Sequence, residues 1–104
     1  MLTRESIIQT LQTYFADKPV KRVWLFGSWA RGEADAQSDV DVLVDWDYPR
    51  LDPYKYFLYP DDLGKMLNCK VDVVSENGVR PSMKQRIMPD LMLVYESSQY
   101  PDTK

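Results

Sequence analysis

Three aspartates in this chain have the spacing of a divalent-metal site. Asp39 and Asp41 lie in the stretch DVDVLVD at residues 39–45, where polar and apolar residues alternate as they do in a β-strand. On a strand both carboxylates point to the same side, with their Cα atoms about 6.5 to 7 Å apart. Carboxylate oxygens are preferred ligands of Mg²⁺. Asp72, in the strand-like stretch KVDVVS, has the register to supply a third carboxylate, so we predict Asp39, Asp41 and Asp72 as metal ligands.

A Gly-Ser turn upstream of the aspartates has the composition of a phosphate site. Gly27 ends the apolar run VKRVWLF, and Ser28 begins a predicted helical turn. Glycine lets a phosphate come close to the main chain, and the Ser28 hydroxyl and the first N–H groups of the turn can donate to phosphate oxygens. Arg31, one turn later, adds a positive charge. We predict Gly27, Ser28, Arg31 and Ser38 as nucleotide-binding residues; together with the aspartates they indicate phosphoryl or nucleotidyl transfer.

The segments around these motifs alternate between helix and strand. Apolar residues recur at helical spacing from Ile7 to Phe15, and Thr3 has the side chain of an N-cap. The predicted elements are a helix at 3–15, a strand at 20–26, a helical turn at 28–32, a strand at 39–45, a tyrosine-rich loop broken by prolines, a helix at 60–67, a strand at 70–75, a helix opened by Pro81 within 79–88, and a strand at 91–96. This order predicts an α/β (α+β) fold with helices packed on a small sheet.

Length and composition favour one domain spanning residues 1–104, with a core at about 3–96 and a frayed tail at 97–104. The net charge of -3 and the pI of about 4.8 argue against stable nucleic-acid binding, which needs clustered cations. Cys69 is the only cysteine, so no intramolecular disulfide is possible. There is no signal-peptide pattern and no apolar run long enough to span a membrane. We therefore expect a cytoplasmic protein without a membrane partner.

The order of these motifs resembles a known signature. Gly27-Ser28, ten further residues and then Asp39-x-Asp41 is similar to the pattern of the nucleotidyltransferase superfamily that includes polymerase β. The stretch FGSWARGEADAQSDVDVLV is especially similar to the minimal nucleotidyltransferases, the small antitoxin partners of HEPN-domain ribonuclease toxins in prokaryotes. KVDVVS followed by GVRPSMKQRIMPDLMLVYE resembles the C-terminal half of that family. The resemblance covers nearly the whole chain, from about Ser6 to Glu96.

The resemblance implies a polymerase β-like fold, a mixed sheet with the site at its edge, two Mg²⁺ ions, and ATP as the nucleotide donor. Matched residue by residue, it implies that Asp39 and Asp41 bind metal, that Asp72 binds the second metal and helps to deprotonate the attacking hydroxyl, and that Gly27 and Ser28 hold the β and γ phosphates. The chain contains no histidine, so Asp72 is the natural candidate for the proton acceptor. In this family a tyrosine hydroxyl of the HEPN toxin receives AMP, and the toxin loses its RNase activity.

Plainer interpretations stay open for several of these features. The aspartates also fit a solvated strand face, the Gly-Ser turn a simple strand-to-helix connection, and Arg31 a surface ion pair. The aromatic residues of segment 54–59 are interpreted as core rather than as a partner surface, and Lys84 and Arg86 are assigned to a solvated helix face. The alternatives to an antitoxin enzyme are a non-catalytic antitoxin that occludes the toxin and a small-molecule nucleotidyltransferase.

Overall fold

Four strands form one sheet in the computed structural model, which describes residues 2–98. They are β1 (Val20–Phe26), β2 (Val40–Trp46), β3 (Val71–Ser75) and β4 (Met92–Glu96). The α-helices are α1 (Arg4–Phe15), α2 (Ser28–Arg31), α3 (Pro53–Tyr56), α4 (Tyr59–Leu67) and α5 (Pro81–Ile87), and short 3-10 turns cover Tyr48–Arg50, Glu76–Gly78 and Met88–Asp90. The predicted fold class and the alternation of helices with strands are confirmed.

The sheet is mixed, with strand order β3-β2-β1-β4. β1 is antiparallel to both β2 and β4, whereas β2 and β3 are parallel. A parallel pair needs a crossover connection, and the segment that contains α3 and α4 supplies it. The register sets Asp41 opposite Asp72 on β3 and opposite Phe26 on β1. Because directly opposed residues share a sheet face, the two carboxylates lie on the same side.

Helices α1 and α4 cover one face of the sheet. The three valines of β2, Val40, Val42 and Val44, are completely buried on this face, as the alternating pattern predicts. They belong to the main hydrophobic core together with Leu11 of α1 and Leu63 of α4, which are also completely buried. This core fixes the orientation of β2, and so it turns the aspartate-bearing side of the strand away from α1 and α4.

Helix α1 begins at a capping box, as expected from Thr3. The Thr3 hydroxyl accepts a hydrogen bond from the Ser6 N–H at 3.1 Å, and the Ser6 hydroxyl oxygen accepts one from the Thr3 N–H at 3.0 Å. Two N–H groups that the helix cannot pair internally are thereby satisfied. The capping box anchors the first turn of a helix that contributes a large part of the core.

The opposite face of the sheet carries a second, smaller core and the aspartates. Phe26 and Leu43 are buried there against Ile87, the last residue of α5. Asp41 lies on the same side of β2 as Leu43, since the two residues are separated by one position. Helix α5 therefore stands beside the carboxylate end of this face.

The predicted start of the second strand at Asp39 is wrong by one residue. The Val40 N–H donates to the Lys70 carbonyl at 3.0 Å, and the ladder begins with Val40 opposite Val71. Asp39 therefore lies in the chain that leads into β2 and not within the strand. Asp39 remains adjacent to β2, but the hydrogen bonds of the sheet do not determine the direction of its side chain.

The segment predicted as a loop contains a 3-10 turn at Tyr48–Arg50 and the helix α3. Helix α3 starts because the Asp52 side chain accepts a hydrogen bond from the Tyr54 N–H at 2.9 Å and Pro53 occupies the first helical position. Asp followed by Pro is a recognised helix start. The sequence thus contained the signal for this helix, and its prolines were wrongly interpreted only as breakers.

The aromatic residues around α3 divide between core and surface. Tyr59 is buried, and Tyr56 packs edge-on against Trp46 with ring centroids 5.2 Å apart. Tyr54 and Phe57, by contrast, are 87% and 74% exposed. The interpretation of this cluster as core is therefore wrong for Tyr54 and Phe57, because a four-residue helix presents only one side to the sheet.

None of the helices within residues 2–98 is both long and apolar enough to cross a membrane. The tail predicted at 97–104 falls mostly outside the described residues. Of its first residues, Ser97 donates its N–H to the Lys21 carbonyl at 2.9 Å.

Candidate active site

The turn at Gly27 brings the main chain directly against the Asp41 carboxylate. Gly27 has φ of +79° and ψ of -155°, a conformation that residues with a side chain rarely adopt. A Cβ atom added to Gly27 would lie 2.4 Å from Oδ2 of Asp41. The absence of a side chain therefore allows the Asp41 carboxylate to pack directly against the main chain of this turn.

The environment of Asp41 disfavours its negative charge. Its pKa is raised from 3.8 to about 6, first by burial, then by the charges of Asp72 and Asp39 and by a hydrogen bond with Asp72. The charge of Arg31 acts in the opposite direction and lowers the pKa. Carboxylates crowded in this way repel each other unless a proton or a cation neutralises them. The arrangement is one that a divalent cation would stabilise.

Asp39 contributes to the same electrostatic cluster from the chain just before β2. Its charge acts on Asp41, as described above, and also raises the pKa of Cys69, after the larger effect of burial. The predicted trio therefore lies around one region of the fold: Asp41 and Asp72 are paired across β2 and β3, and Asp39 approaches from the side.

A cavity of about 340 Å³ opens in front of the Gly27 turn. Its walls come from the end of β1, from α2, from β2 and from α5 with the turn that follows it. The lining residues are Phe26, Gly27, Ser28, Arg31, Asp41, Met83, Arg86, Ile87 and Asp90. Four of the seven predicted site residues, Gly27, Ser28, Arg31 and Asp41, thus share one cavity.

Arg31 lies in this cavity but is engaged by two carboxylates. Its Nε donates to Oε1 of Glu33, and its Nη1 donates to Oδ2 of Asp90, both at 2.9 Å. Arg31 therefore links the end of α2 to the turn after α5. The interpretation of Arg31 as a surface ion-pair residue is confirmed, and its role in nucleotide binding stays a prediction that its place in the cavity permits.

Ser38 is placed outside the 340 Å³ cavity. Its hydroxyl accepts a hydrogen bond from the Asp35 N–H at 2.9 Å and donates to Oδ1 of Asp35 at 3.2 Å, so it closes the loop before Asp39. It lines a different and larger cavity, of about 760 Å³, next to Trp29 and Cys69. We assign the candidate site to the smaller cavity, because only that one contains both the Gly27 turn and Asp41.

The donor set fits Mg²⁺ and a nucleoside triphosphate. Asp39, Asp41 and Asp72 offer only oxygen ligands, which Mg²⁺ prefers, and Gly27 and Ser28 offer a main-chain surface and a hydroxyl to phosphate. Among residues 2–98 no group of three or more His, Cys, Asp or Glu side chains converges tightly enough to enclose an ion alone. Mg²⁺ commonly keeps water and substrate phosphates in its coordination shell, so an incomplete protein cage is compatible with it.

Helix α5 and the 3-10 turn that follows it contribute residues that were not predicted as part of the site. Met83, Arg86, Ile87 and Asp90 all line the cavity, and Arg86 is also exposed, as predicted for a solvated helix face. Within α5, Met83 lies three positions before Arg86 and four before Ile87, the separations of residues on neighbouring turns of one helix face. That spacing was the signal that could have grouped Arg86 with Met83.

Most of the chain is similar to proteins described as nucleotidyltransferases or adenylyltransferases. The family described as polymerase beta, nucleotidyltransferase, matches residues 5–100. A Methanocaldococcus jannaschii protein named "Putative protein adenylyltransferase MJ0128" is 40% identical over 76 residues, covering 72% of this chain and 76% of that protein. The protein adenylyltransferase MntA of Thermococcus cleftensis is 30% identical over 99 residues, covering 90% of this chain and 98% of its own length.

Solved structures share the fold. A crystal structure described as "the toxin-antitoxin with AMP-PNP" has a TM-score of 0.69 at 22% identity and covers 94% of this chain and 77% of its own. A second structure, the tri-AMPylated Shewanella oneidensis HEPN toxin in complex with MNT antitoxin, has a TM-score of 0.61 at 21% identity, with coverages of 92% and 72%. At these identities the structural likeness speaks for the fold alone.

Proposed function

This chain belongs to the polymerase beta family of nucleotidyltransferases, and from that premise we propose that it is an antitoxin that transfers AMP from ATP onto a tyrosine hydroxyl of a partner HEPN-domain toxin. The assignment as a nucleotidyltransferase rests on the family match and on the adenylyltransferase relatives. The acceptor, the HEPN partner, Mg²⁺ and the cytoplasmic location are our proposals. The HEPN partner and the transfer of AMP to it are supported by two structural neighbours, a toxin-antitoxin with AMP-PNP and a tri-AMPylated HEPN toxin in complex with MNT antitoxin.

One observation carries the proposal. Asp41 and Asp72 are paired on adjacent strands, and the Asp41 carboxylate packs against the Gly27 main chain and lines one cavity with Gly27 and Ser28. A triphosphate held at the Gly27–Ser28 turn would therefore lie against the carboxylates that can bind its cation. A solvated strand face does not require a glycine at φ +79° against one of its aspartates.

The chain's own residues have separable roles in the proposed reaction. Gly27 and Ser28 hold the β and γ phosphates, and Asp39, Asp41 and Asp72 would bind two Mg²⁺ ions. Bound Mg²⁺ would lower the pKa of the attacking hydroxyl and neutralise negative charge on the leaving pyrophosphate.

The proton and the bonds balance without a further reactant. The tyrosine oxygen forms a bond to the α-phosphorus, and the bond from that phosphorus to the pyrophosphate oxygen breaks. Asp72 accepts the hydroxyl proton, which a carboxylate can do once the hydroxyl has been acidified. The products are AMP-tyrosine and pyrophosphate.

The proposal is tested by mass spectrometry of the protein incubated with its HEPN toxin, Mg²⁺ and each nucleoside triphosphate in turn. The expected result is a toxin that gains one or more AMP units with ATP and loses RNase activity. Asp72→Asn should slow transfer by a factor of about 100 or more, in the range measured for loss of a general base. Asp45→Asn, on the same face of β2 but ion-paired with Arg22 at 3.5 Å, is the matched control and should transfer normally.

The same experiment separates the alternatives. A toxin of unchanged mass that is nevertheless silenced, equally by the wild type and by the double variant Asp39→Ala with Asp41→Ala, would mean that neutralisation occurs by occlusion. A toxin that stays both unmodified and active, together with consumption of ATP when a small alcohol is added, would favour a small-molecule acceptor. Either result would refute AMP transfer to the toxin.

A further inference from the structure

Arg86 is placed where a bound triphosphate would meet it. It lines the same 340 Å³ cavity as Gly27, Ser28 and Asp41, although it comes from α5 on the other side of that cavity. Its helical neighbour Ile87 is buried in the smaller core, which fixes the side of α5 that faces the site. Arg86 itself is exposed, so its guanidinium can be reached by a ligand from solvent.

The other arginine of the cavity is already occupied. Arg31 donates to Glu33 and to Asp90 at 2.9 Å each, and these two carboxylates balance its charge. The Asp90 bond also ties the end of α2 to the 3-10 turn that follows α5. Arg31 therefore holds α5 beside the Gly27 turn.

Arg86 differs from Arg31 because its charge is not used within the described part of the chain. Across residues 2–98 no hydrogen bond or ion pair engages its side chain. The charge that lowers the pKa of Asp41 comes from Arg31. Lys84, on the same helix, is instead ion-paired with Glu76 at 3.4 Å.

We propose that Arg86 binds the triphosphate tail of the nucleotide and that Arg31 serves as the clamp that positions α5 for this contact. The inference rests on the proposed function and adds a specific anion-binding residue to it. A chain of net charge -3 with three carboxylates at its site repels a triphosphate, so an unpaired cation in the cavity has a clear electrostatic purpose. The planar guanidinium can donate two parallel hydrogen bonds to phosphate oxygens in a bidentate geometry.

The test compares Arg86→Gln, Arg86→Lys and Lys84→Gln with the wild type by isothermal titration calorimetry, using ATP with Mg²⁺ and, separately, AMP. Arg86→Gln should weaken ATP binding by about tenfold, equivalent to 1.4 kcal/mol, and should change AMP binding by less than about twofold. Arg86→Lys should recover part of the loss because it retains the charge. Lys84→Gln should bind both nucleotides as the wild type does.

Each outcome decides the matter. ATP binding by Arg86→Gln that is within about twofold of wild type would overturn the inference and leave the proposed function standing. An equal loss for ATP and AMP would also overturn it, because the effect would not arise at the triphosphate tail. A wild-type protein that binds no nucleotide would overturn the proposed function and the inference with it. Thermal unfolding of the exposed Arg86→Gln variant checks that it folds.

Discussion

Replacing Asp41 by asparagine is expected to stabilise the metal-free protein at neutral pH, although it removes a residue of the proposed site. The pKa of Asp41 is about 6 in the folded protein, against 3.8 as its ordinary value. A carboxyl whose pKa is higher in the folded than in the unfolded protein stabilises the fold more in its protonated form than in its ionised form. Its contribution to stability is therefore fully present below pH 3.8 and is lost as the pH rises through 6. Asparagine carries no charge at any of these pH values and escapes that loss.

The magnitude follows from the same two pKa values. The interval from 3.8 to about 6 corresponds to about 3 kcal/mol of unfolding free energy at neutral pH, from 1.36 kcal/mol for each pH unit. Asp41 is partly exposed, and solvent screens part of this repulsion, so we expect a gain of about 1 to 2 kcal/mol. For a chain of this size, such a gain raises the midpoint of thermal unfolding by roughly 5 to 10 °C.

The assay is thermal unfolding of wild type and Asp41→Asn in EDTA at several pH values from 4 to 8. The advantage of the variant should be small at pH 4, grow up to pH 6 and stay constant above it. Mg²⁺ with ATP should then stabilise the wild type more than the variant, because a ligand that binds only the folded state adds to stability. Asp45→Asn is the control, since Asp45 faces Arg22 and its charge is favourable.

Two results would refute this reasoning. One is an advantage of Asp41→Asn that does not change with pH, because the charge of Asp41 would then not be its source. The other is an equal gain from Asp45→Asn, because the effect would then be a general response to removing negative charge from an acidic protein.

Two further predictions concern the backbone that holds the site and the first helix. Gly27→Ala should lower the unfolding midpoint by at least about 5 °C, because a φ of +79° costs other residues about 1 to 3 kcal/mol and the new Cβ would lie 2.4 Å from Asp41. Gly78→Ala is the control and should unfold like wild type, because no described atom lies within 4 Å of its new Cβ. An equal loss of stability in the two variants would contradict the close approach of Gly27 to Asp41. Thr3→Ala removes the N-cap of α1 and should lower the free energy of unfolding, measured in urea, by about 1 kcal/mol. Thr13→Ala, at an exposed helical position, is the control and should lower it little. Equal losses in the two variants would mean that the N-cap makes no specific contribution to stability.

The elements that the sequence predicted well are those with a local physical cause. Thr3 caps α1 through a bond to a residue three positions away, and the alternation of valines in β2 requires only that one sheet face is buried. Asp72 could be matched to Asp41 because both lie on short apolar strands, where side chains alternate regularly. Each of these patterns is readable within a few residues.

The parts that the sequence did not reveal depend on contacts between distant segments. Asp39 looked like part of the strand by its alternation, but the ladder starts at Val40, where a partner strand is available. Tyr54 and Phe57 have the composition of core residues, and only the position of the short helix α3 decides that they are exposed. No local pattern in the sequence marks Arg86 as a site residue, because only the packing of α5 near the Gly27 turn brings Arg86 to the cavity.

The parallel pairing of β2 with β3 determines when the site can form during synthesis and what would hold it together if the connection between the strands were cut. Its two central carboxylates lie on either side of a crossover that runs through α3 and α4, so the ribosome must synthesise the chain beyond Asp72 before they can meet. A protease that cut the exposed stretch around Tyr54 and Phe57 would sever their covalent link without touching either carboxylate. Because that connection also carries buried core residues, the site would then persist only for as long as the two fragments stayed associated.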